Sequence, residues 1–483
     1  MILYSFFLLI AVSVFLTFGN WRRGIFAMIL IAALQDPIRK LTPGTPSYLV
    51  LSSTPVFFAM VMVAFQRGVR LWLLFKRSHR KLSSAIKLFL ISLVPGAILS
   101  LSYGFHGILL VLLGLLSYLT LVFGWLLGNA YRRRTPEMRK VLAFYCVVTS
   151  VMLTGTAFQY LNLYSGWTAI GTKAMNMEWI RYTGGSIIHM IAGFYRSPDV
   201  MGWHAVVAAM LAAVLAVSKK GGKKSLWIIL AAWAVGMAML CGRRKMVLMV
   251  PVFAMVYTWL YWQARRRTRM VVIAGILLGV FLLGYVVYDY VGSNPATEDY
   301  YFETIGDVPH RLNQGSFAGV IATYHQSGFF GEGLGTAATG AHNLSVQRPH
   351  TWQEGGFDYL MVELGVPGLL CFLFLSYVLV RTILALILKR LNTRSEDFPM
   401  MAGLTAIFFA NIGSFIVSHQ IFGDPFILTF FSFLTGLLLS AGRVDLPVRA
   451  KERAVMLAAV PWRGAPGVRG GRPRPFTTFR DRQ

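Results

Sequence analysis

The sequence predicts an all-α, polytopic helical membrane protein of about 12–13 transmembrane helices with one large extracytoplasmic loop. Three observations predict it. Of 483 residues, 56% are hydrophobic and only 13% charged, where a soluble domain carries roughly 25% charged residues. The apolar residues come in long, continuous runs, whereas a membrane β-barrel shows weak alternation in segments of about 10 residues. The basic residues come as short clusters between those runs, which is the pattern of cytoplasmic loops. That clustering also sets aside nucleic acid as the partner behind the net charge of +27.

A helix that crosses the hydrocarbon core needs about 20 apolar residues. Runs of this kind cover 2–18, 22–36, 48–65, 84–102, 107–128, 141–161, 200–217, 225–241, 246–263, 270–290, 360–388, 398–421 and 424–440; the second is short. The first lacks a basic region before it, and Arg22 and Arg23 follow it. It reads as a retained helix with its N-terminus outside, not as a cleaved signal. The basic clusters are "RGVRLWLLFKRSHRK" (67–81), "RRRTPEMRK" (132–140), "KKGGKK" (219–224), "RRRTR" (265–269) and "KRLNTR" (389–394). Thirteen spans put all five on one side, which the positive-inside rule makes cytoplasmic.

The organisation that follows is N-terminal helices over 1–140, central helices over 141–290 with an outward loop at 162–199, a long outward segment at 291–359, C-terminal helices over 360–440 and a tail over 441–483. The segment 291–359 holds seven acidic residues against two arginines, opposite in sign to the whole chain. A connector that long more often carries function than not. The tail, rich in Arg, Gly and Pro, has the composition of a disordered segment near anionic cytoplasmic lipid. Cys146, Cys241 and Cys371 lie in or at the ends of apolar runs and form neither a disulfide framework nor a zinc site.

Candidate site residues gather on the outward side. His342, in "GEGLGTAATGAHN" (331–343), is suited to accept a proton near neutral pH. Gly331, Gly333 and Gly335 before it allow a tight turn and close approach to a ligand; the alternative is a histidine that braces the loop. Arg243 and Arg244, in "CGRRKM" (241–246), break the positive-inside trend, and their planar forks match phosphate oxygens; the alternative is an arginine that snorkels or pairs with a loop acid. Within the outward segment 178–210, Arg181 and Arg196 flank a semi-apolar stretch as ligand groups or interface anchors, and Asp199 in "RSPD" (196–199) reads as a helix N-cap. His189 and His204 read as packing or capping residues. Arg311 opens an amphipathic helix within 310–335, and Glu354 is placed to orient His342 or bind a sugar hydroxyl. Trp352, Tyr359, Tyr300 and Tyr301 read as interface aromatics.

The order of these parts resembles the O-antigen ligase and polysaccharide polymerase superfamily of bacterial membrane glycosyltransferases. The phrases that carry the resemblance are "RSPD", "CGRRK", "FFGEGLG", "AHN" and "ELGVPG" (363–368), over roughly residues 141 to 440. Two phrases depart from the family pattern: Asp199 follows the proline where Asn is common, and Gly242–Arg243–Arg244 stands where Ser–Arg is common. The phrase "DPIRKLTPGTP" (36–46) lies outside the shared part.

The resemblance implies a metal-independent enzyme without a cofactor, working at the periplasmic face of the bacterial inner membrane in surface polysaccharide (O-antigen or exopolysaccharide) synthesis. It would move glycan from a polyprenyl-diphosphate-linked donor to a hydroxyl acceptor on a glycan or a lipid. In that reaction Arg181, Arg196, Arg243, Arg244, Arg311 and Glu354 would bind substrate, His342 would act as base, and Trp352, Tyr359, Tyr300 and Tyr301 would stack on sugar faces as the alternative to interface aromatics. Its other partners would be membrane lipid and polysaccharide export machinery. Polymerase and ligase differ in acceptor, which the residues do not name. A lipid-linked glycan flippase is the reading of a different class, but a flippase should carry charges deep in several spans. A scaffold of an export complex leaves the outward arginines and His342 unexplained.

Overall fold

The computed structural model describes residues 1–131, 135–163, 166–183, 186–218, 224–264, 318–338, 340–341, 355–391 and 397–443. Contacts divide the chain into Met1–Ala441, which holds the helices, and Gly442–Gln483, of which Gly442 and Arg443 are described. The protein is a multi-pass, all-α membrane protein, and among the described residues nine helices are long and apolar enough to cross a membrane.

In chain order the helices are α1 (Ile2–Gly19), α2 (Gly24–Leu41), α3 (Thr54–Gln66), α4 (Leu71–Ser78), α5 (Arg80–Leu101), α6 (Phe105–Tyr131), α7 (Thr135–Tyr160), α8 (Pro198–Ser218), α9 (Lys224–Met239), α10 (Arg244–Gln263), α11 (Gly319–Ser327), α12 (Gly356–Leu391), α13 (Phe398–Val417), α14 (Gln420–Gly423) and α15 (Pro425–Leu439). Each predicted span overlaps one of them except 270–290, which lies outside the described residues together with most of the segment 291–359. The predicted amphipathic helix is described from Gly319, and Arg311 is not described. The sequence reading missed α4 inside the first basic cluster. It also missed a small antiparallel hairpin, β1 (Ile180–Thr183) with β2 (Ser186–His189), in the outward loop. Its strands are mostly β-branched and aromatic residues on either side of a glycine pair, a local signal for a hairpin.

The bundle is built around α8. Its side chains are buried without a break from Pro198 to Ala216, and six alanines let neighbours approach on every side. Helix α1 is the opposite case: only Phe6, Ile10, Ser13 and Thr17 are buried, one narrow stripe at helical spacing, while the other faces suit lipid. Helices α6 and α15 approach most closely through glycine. A Cβ at Gly128 would stand 2.2 Å from the Phe433 carbonyl oxygen, and one at Gly436 would stand 2.5 Å from that of Trp125. Small residues four apart, here Gly124 and Gly128, are the usual means of bringing two membrane helices into backbone contact.

Two faces result. On the basic face, side chains of the basic clusters cap helix C-termini, where carbonyls lack intrahelical donors. Arg67 donates to the Phe18 carbonyl at 2.8 Å and Arg390 to that of Ala441 at 2.7 Å. Arg22 reaches the Tyr131 carbonyl at 3.3 Å, Arg139 that of Ser218 at 3.4 Å, and the His79 ring pairs with that of Leu439 at 3.0 Å. The far face collects the C-terminal ends of α2, α5 and α13 and the N-terminal ends of α6, α8, α10, α12 and α15, as the contacts below establish.

Candidate functional site

Three side-chain clusters sit on the far face. The first centres on Arg196, just before α8. Its backbone N–H donates to Asp36 Oδ2 at 3.0 Å, its Nη1 lies 3.6 Å from Asp36 Oδ1, and its Nη2 lies 2.6 Å from Asp424 Oδ2. Asp424 also caps α15, accepting from the Ile427 N–H at 2.8 Å. Burial works against the Arg196 charge, but the two carboxylates outweigh it and hold its pKa above the usual value. One turn along α2, Lys40 Nζ donates to the carbonyls of Gly193 and Tyr195 at 2.9 and 2.5 Å. The segment before α8 is thus pinned from α2. Beneath it the His204 ring is stacked between Tyr195 and Phe426, and its Nδ1 is 2.8 Å from the Tyr145 hydroxyl.

The second cluster centres on Asp199 in the first turn of α8. Arg243 Nη2 lies 2.8 Å from Asp199 Oδ2 and Lys245 Nζ 2.9 Å from its Oδ1. The Arg243 guanidinium also sits 5.2 Å over the Trp179 ring, and Arg181 on β1 acts on Asp199 through its charge. The tight turn before α10 is possible because Gly242 has φ +64° and Gly202 lets Cys241 approach α8. Arg244 begins α10 and is half-buried.

The third cluster is built on Glu363, fully buried two turns into α12. Tyr118 of α6 donates to Glu363 Oε2 at 2.7 Å, while Glu363 Oε1 and the Tyr359 hydroxyl are buried without a hydrogen-bond partner among the described residues. Beside this cluster the glycine stretch 331–337 is inserted between helices. The Leu334 N–H donates to the Gly96 carbonyl at 2.9 Å, Ser100 Oγ to the Leu334 carbonyl at 2.7 Å, and the Glu332 N–H to the Val362 carbonyl at 2.7 Å. Gly331, Gly333 and Gly335 have φ of +76°, +116° and +82°. A Cβ at Gly335 would lie 2.0 Å from the Leu110 carbonyl oxygen. The close approach these glycines permit is to α5, α6 and α12, where the sequence reading expected a ligand. "ELGVPG" marks a break between two helical stretches of α12: Gly365, at φ +63°, ends the first and receives the backbone of Phe329 and Phe330, and the second begins just after it, with Pro367 in its first turn.

One short segment touches all three clusters. In "SHQIFGD" (418–424), Ser418 Oγ accepts from Lys245 at 2.7 Å, His419 stacks on Tyr359, Phe422 packs against Tyr118 and Tyr359, and Asp424 holds Arg196. Sequence reasoning missed this segment, since it reads as a brief gap between two spans. It also left "DPIRKLTPGTP" without a role. The signal there was Asp36 and Lys40 one helical turn apart at the end of an apolar run.

Of the sequence-predicted residues, Arg243 contacts Asp199, three residues from Arg196, and Arg181 acts on the same carboxylate only through its charge. Both ends of the Arg196 guanidinium are taken by carboxylates, a geometry that favours a pin over an anion ligand. His342, Arg311, Glu354, Trp352, Tyr300 and Tyr301 lie outside the described residues. Tyr359 is buried at 1% exposure and stacked at 5.5 Å on His419, so it is neither a sugar platform nor an interface aromatic. His189 pairs with Glu178 at 3.2 Å on the exposed hairpin. Among the described residues no group of three His, Cys, Asp or Glu side chains is placed to hold a metal ion. No protein-family model matches the chain, and no curated protein matches it.

Proposed function

We propose that the protein is a glycosyltransferase of the O-antigen ligase and polysaccharide polymerase type. It transfers or polymerises glycan from a polyprenyl-diphosphate donor onto a hydroxyl acceptor at the periplasmic face of the bacterial inner membrane. The observation that carries this reading is the meeting of "RSPD", "CGRRK", "FFGEGLG" and "ELGVPG" on one face, tied together through residues 418–424. These phrases are up to about 170 residues apart in sequence. A chain that uses them only as helix ends has no need to collect them around shared side chains.

The chemistry follows from the charges. Arg243 and Lys245 share one carboxylate, Asp199, so the cluster keeps a net positive charge at the mouth of α8. A diphosphate carries charge that grows on its leaving oxygen as the glycosidic bond to the carrier breaks, and fixed cations there stabilise it. The N-terminal ends of α8 and α10 add partial positive charge at the same place. The acceptor hydroxyl needs a base, and His342 follows the buried loop directly, one residue after Ala341.

The test is purified protein in lipid with lipid-linked oligosaccharide. Chain extension identifies a polymerase, and transfer to lipid A core identifies a ligase. A folded preparation that does neither with either acceptor sinks the reading.

A further inference from the structure

Helix α5 buries one side and leaves the other to lipid. Leu82, Ala85, Ile86, Phe89 and Leu93 pack into the bundle. Opposite them Ile91, Val94 and Ile98 are more than half exposed. One charged side chain stands in that exposed stripe within the apolar span Arg80–Leu101: Lys87. Arg80, Lys87, Ile91 and Ile98 are all exposed, and successive members are seven, four and seven residues apart, so they share one face of the helix.

A lysine on a lipid-facing stripe is costly unless its ammonium reaches the membrane boundary. Side chains on a helix lean toward its N-terminus. The N-terminus of α5 is on the basic face, where His79 meets the Leu439 carbonyl. The lean therefore carries the Lys87 ammonium toward the headgroups. There it lies 5.9 Å from the centre of the Trp72 ring on α4, and an indole prefers that depth of a bilayer. No carboxylate answers the charge. Not one Asp or Glu occurs between Asp36 and Glu137, and no ion pair among the described residues includes Lys87 or Arg80. Arg80 stands about 10 Å nearer the basic end along the axis, so two long cationic side chains can close on one anion. The apolar stripe below them suits an anion that carries an acyl chain.

We propose that Arg80, Lys87 and Trp72 form a binding site for the headgroup phosphate of an anionic phospholipid in the leaflet on the basic face, with an acyl chain lying along Ile91, Val94 and Ile98. A lipid is favoured over the carboxylate of a partner helix because the ammonium is drawn to the end of the span, beside an interface tryptophan, where each lipid of the leaflet brings a phosphate. The site is separate from the far-face clusters and does not rest on the transfer reaction.

The test is the full chain in detergent, stripped of lipid and titrated with phosphatidylglycerol or with phosphatidylcholine of the same acyl chains, bound lipid being read by native mass spectrometry. Wild type should prefer phosphatidylglycerol, each of the two cations contributing about fivefold, the factor expected for one Lys or Arg beside an anionic lipid surface. Lys87→Ala and Arg80→Ala should each lower the phosphatidylglycerol affinity by about that factor and leave phosphatidylcholine unchanged. Lys87→Arg should keep the preference. Lys81→Ala removes the same charge from an exposed position about 100° round the helix from Arg80 and should change nothing. Equal affinity of the wild type for the two lipids overturns the site and leaves a partner protein's carboxylate as the counterion of Lys87. A loss in Lys81→Ala equal to that in Lys87→Ala overturns it too, since diffuse charge alone would then be at work. So does an equal loss for both lipids in Lys87→Ala, which would mean that the anionic headgroup is not what the site reads.

Discussion

Arg196 and Arg243 look alike in the sequence and differ in what surrounds them. Arg196 faces two carboxylates, and Arg243 shares one carboxylate with Lys245. The first arrangement consumes the guanidinium; the second leaves positive charge for a ligand. Asp424→Ala should therefore act on stability. It leaves Arg196 buried with only the longer Asp36 contact and removes the cap of α15, which together should cost about 3–5 kcal/mol in reversible unfolding in detergent. A change below about 0.5 kcal/mol, the size of a surface substitution, would show that the pin carries nothing. Arg243→Ala should act on the donor, raising its KM about 10–100-fold, as expected for losing a hydrogen bond to a charged group. Arg243→Lys should restore little of it, since lysine lacks the planar fork; full activity in that variant removes bidentate phosphate binding. His342→Ala should lower transfer by about 10²–10⁴-fold, and His342→Gln nearly as much, because an amide cannot take the proton. Donor binding should survive both. Wild-type turnover in His342→Gln would take His342 out of the mechanism.

At the scale of elements, glycine decides where helices and loops can meet. Gly335→Ala would need a Cβ 2.0 Å from a backbone oxygen at a positive φ, whereas Gly340→Ala meets nothing nearer than 3.6 Å. With a Leu334→Cys probe, 0% exposed, in a Cys371→Ser background, the first should expel the loop and speed maleimide labelling while the second should be silent; equal behaviour would contradict the insertion. Gly128→Ala against Gly413→Ala gives the matching pair within the bundle. Gly128 abuts the backbone of α15 and Gly413 has open space. Overpacking at the first should cost about 1–3 kcal/mol, and the second should stabilise by up to about 1 kcal/mol through helix propensity. The same contrast explains what the sequence could tell. Long apolar runs name the helices because hydropathy is local. The run 22–36 was too short because α2 continues through Pro37 to Leu41, and it does so because Asp36 and Lys40 find partners in another part of the chain. The glycines of "GEGLG" announced a turn and close approach, but not the neighbour, which three distant helices supply. The 418–424 segment has no pattern of its own, and its meaning exists only in its contacts.

At the scale of the whole molecule, orientation is the remaining quantity that function depends on. The chain alternates direction so that Arg22, Arg67, His79, Arg139 and Arg390 all meet helix C-termini on one face, while the three polar clusters lie on the other. Cationic side chains on C-terminal carbonyls are favourable whichever way the protein sits in the membrane. Anionic lipid on the cytoplasmic side and the cost of moving Lys and Arg across then select one orientation. The prediction is that the basic face lies in the cytoplasm and the cluster face in the periplasm. Glu178→Cys, on the exposed hairpin, and Lys81→Cys, exposed at the start of α5, report the two faces. Each is made singly in the Cys371→Ser background. Losing the Glu178–His189 pair should matter little, since both side chains are about 70% exposed and such pairs are worth at most about 1 kcal/mol. With a membrane-impermeant maleimide and the outer membrane opened, Glu178→Cys should label in intact spheroplasts and Lys81→Cys only after lysis. The reverse order would place Asp199, Arg243 and the inserted loop in the cytoplasm. The donor glycan would then have to be met before it crosses the membrane, and the proposed transfer reaction would fail on geometry before any residue was tested.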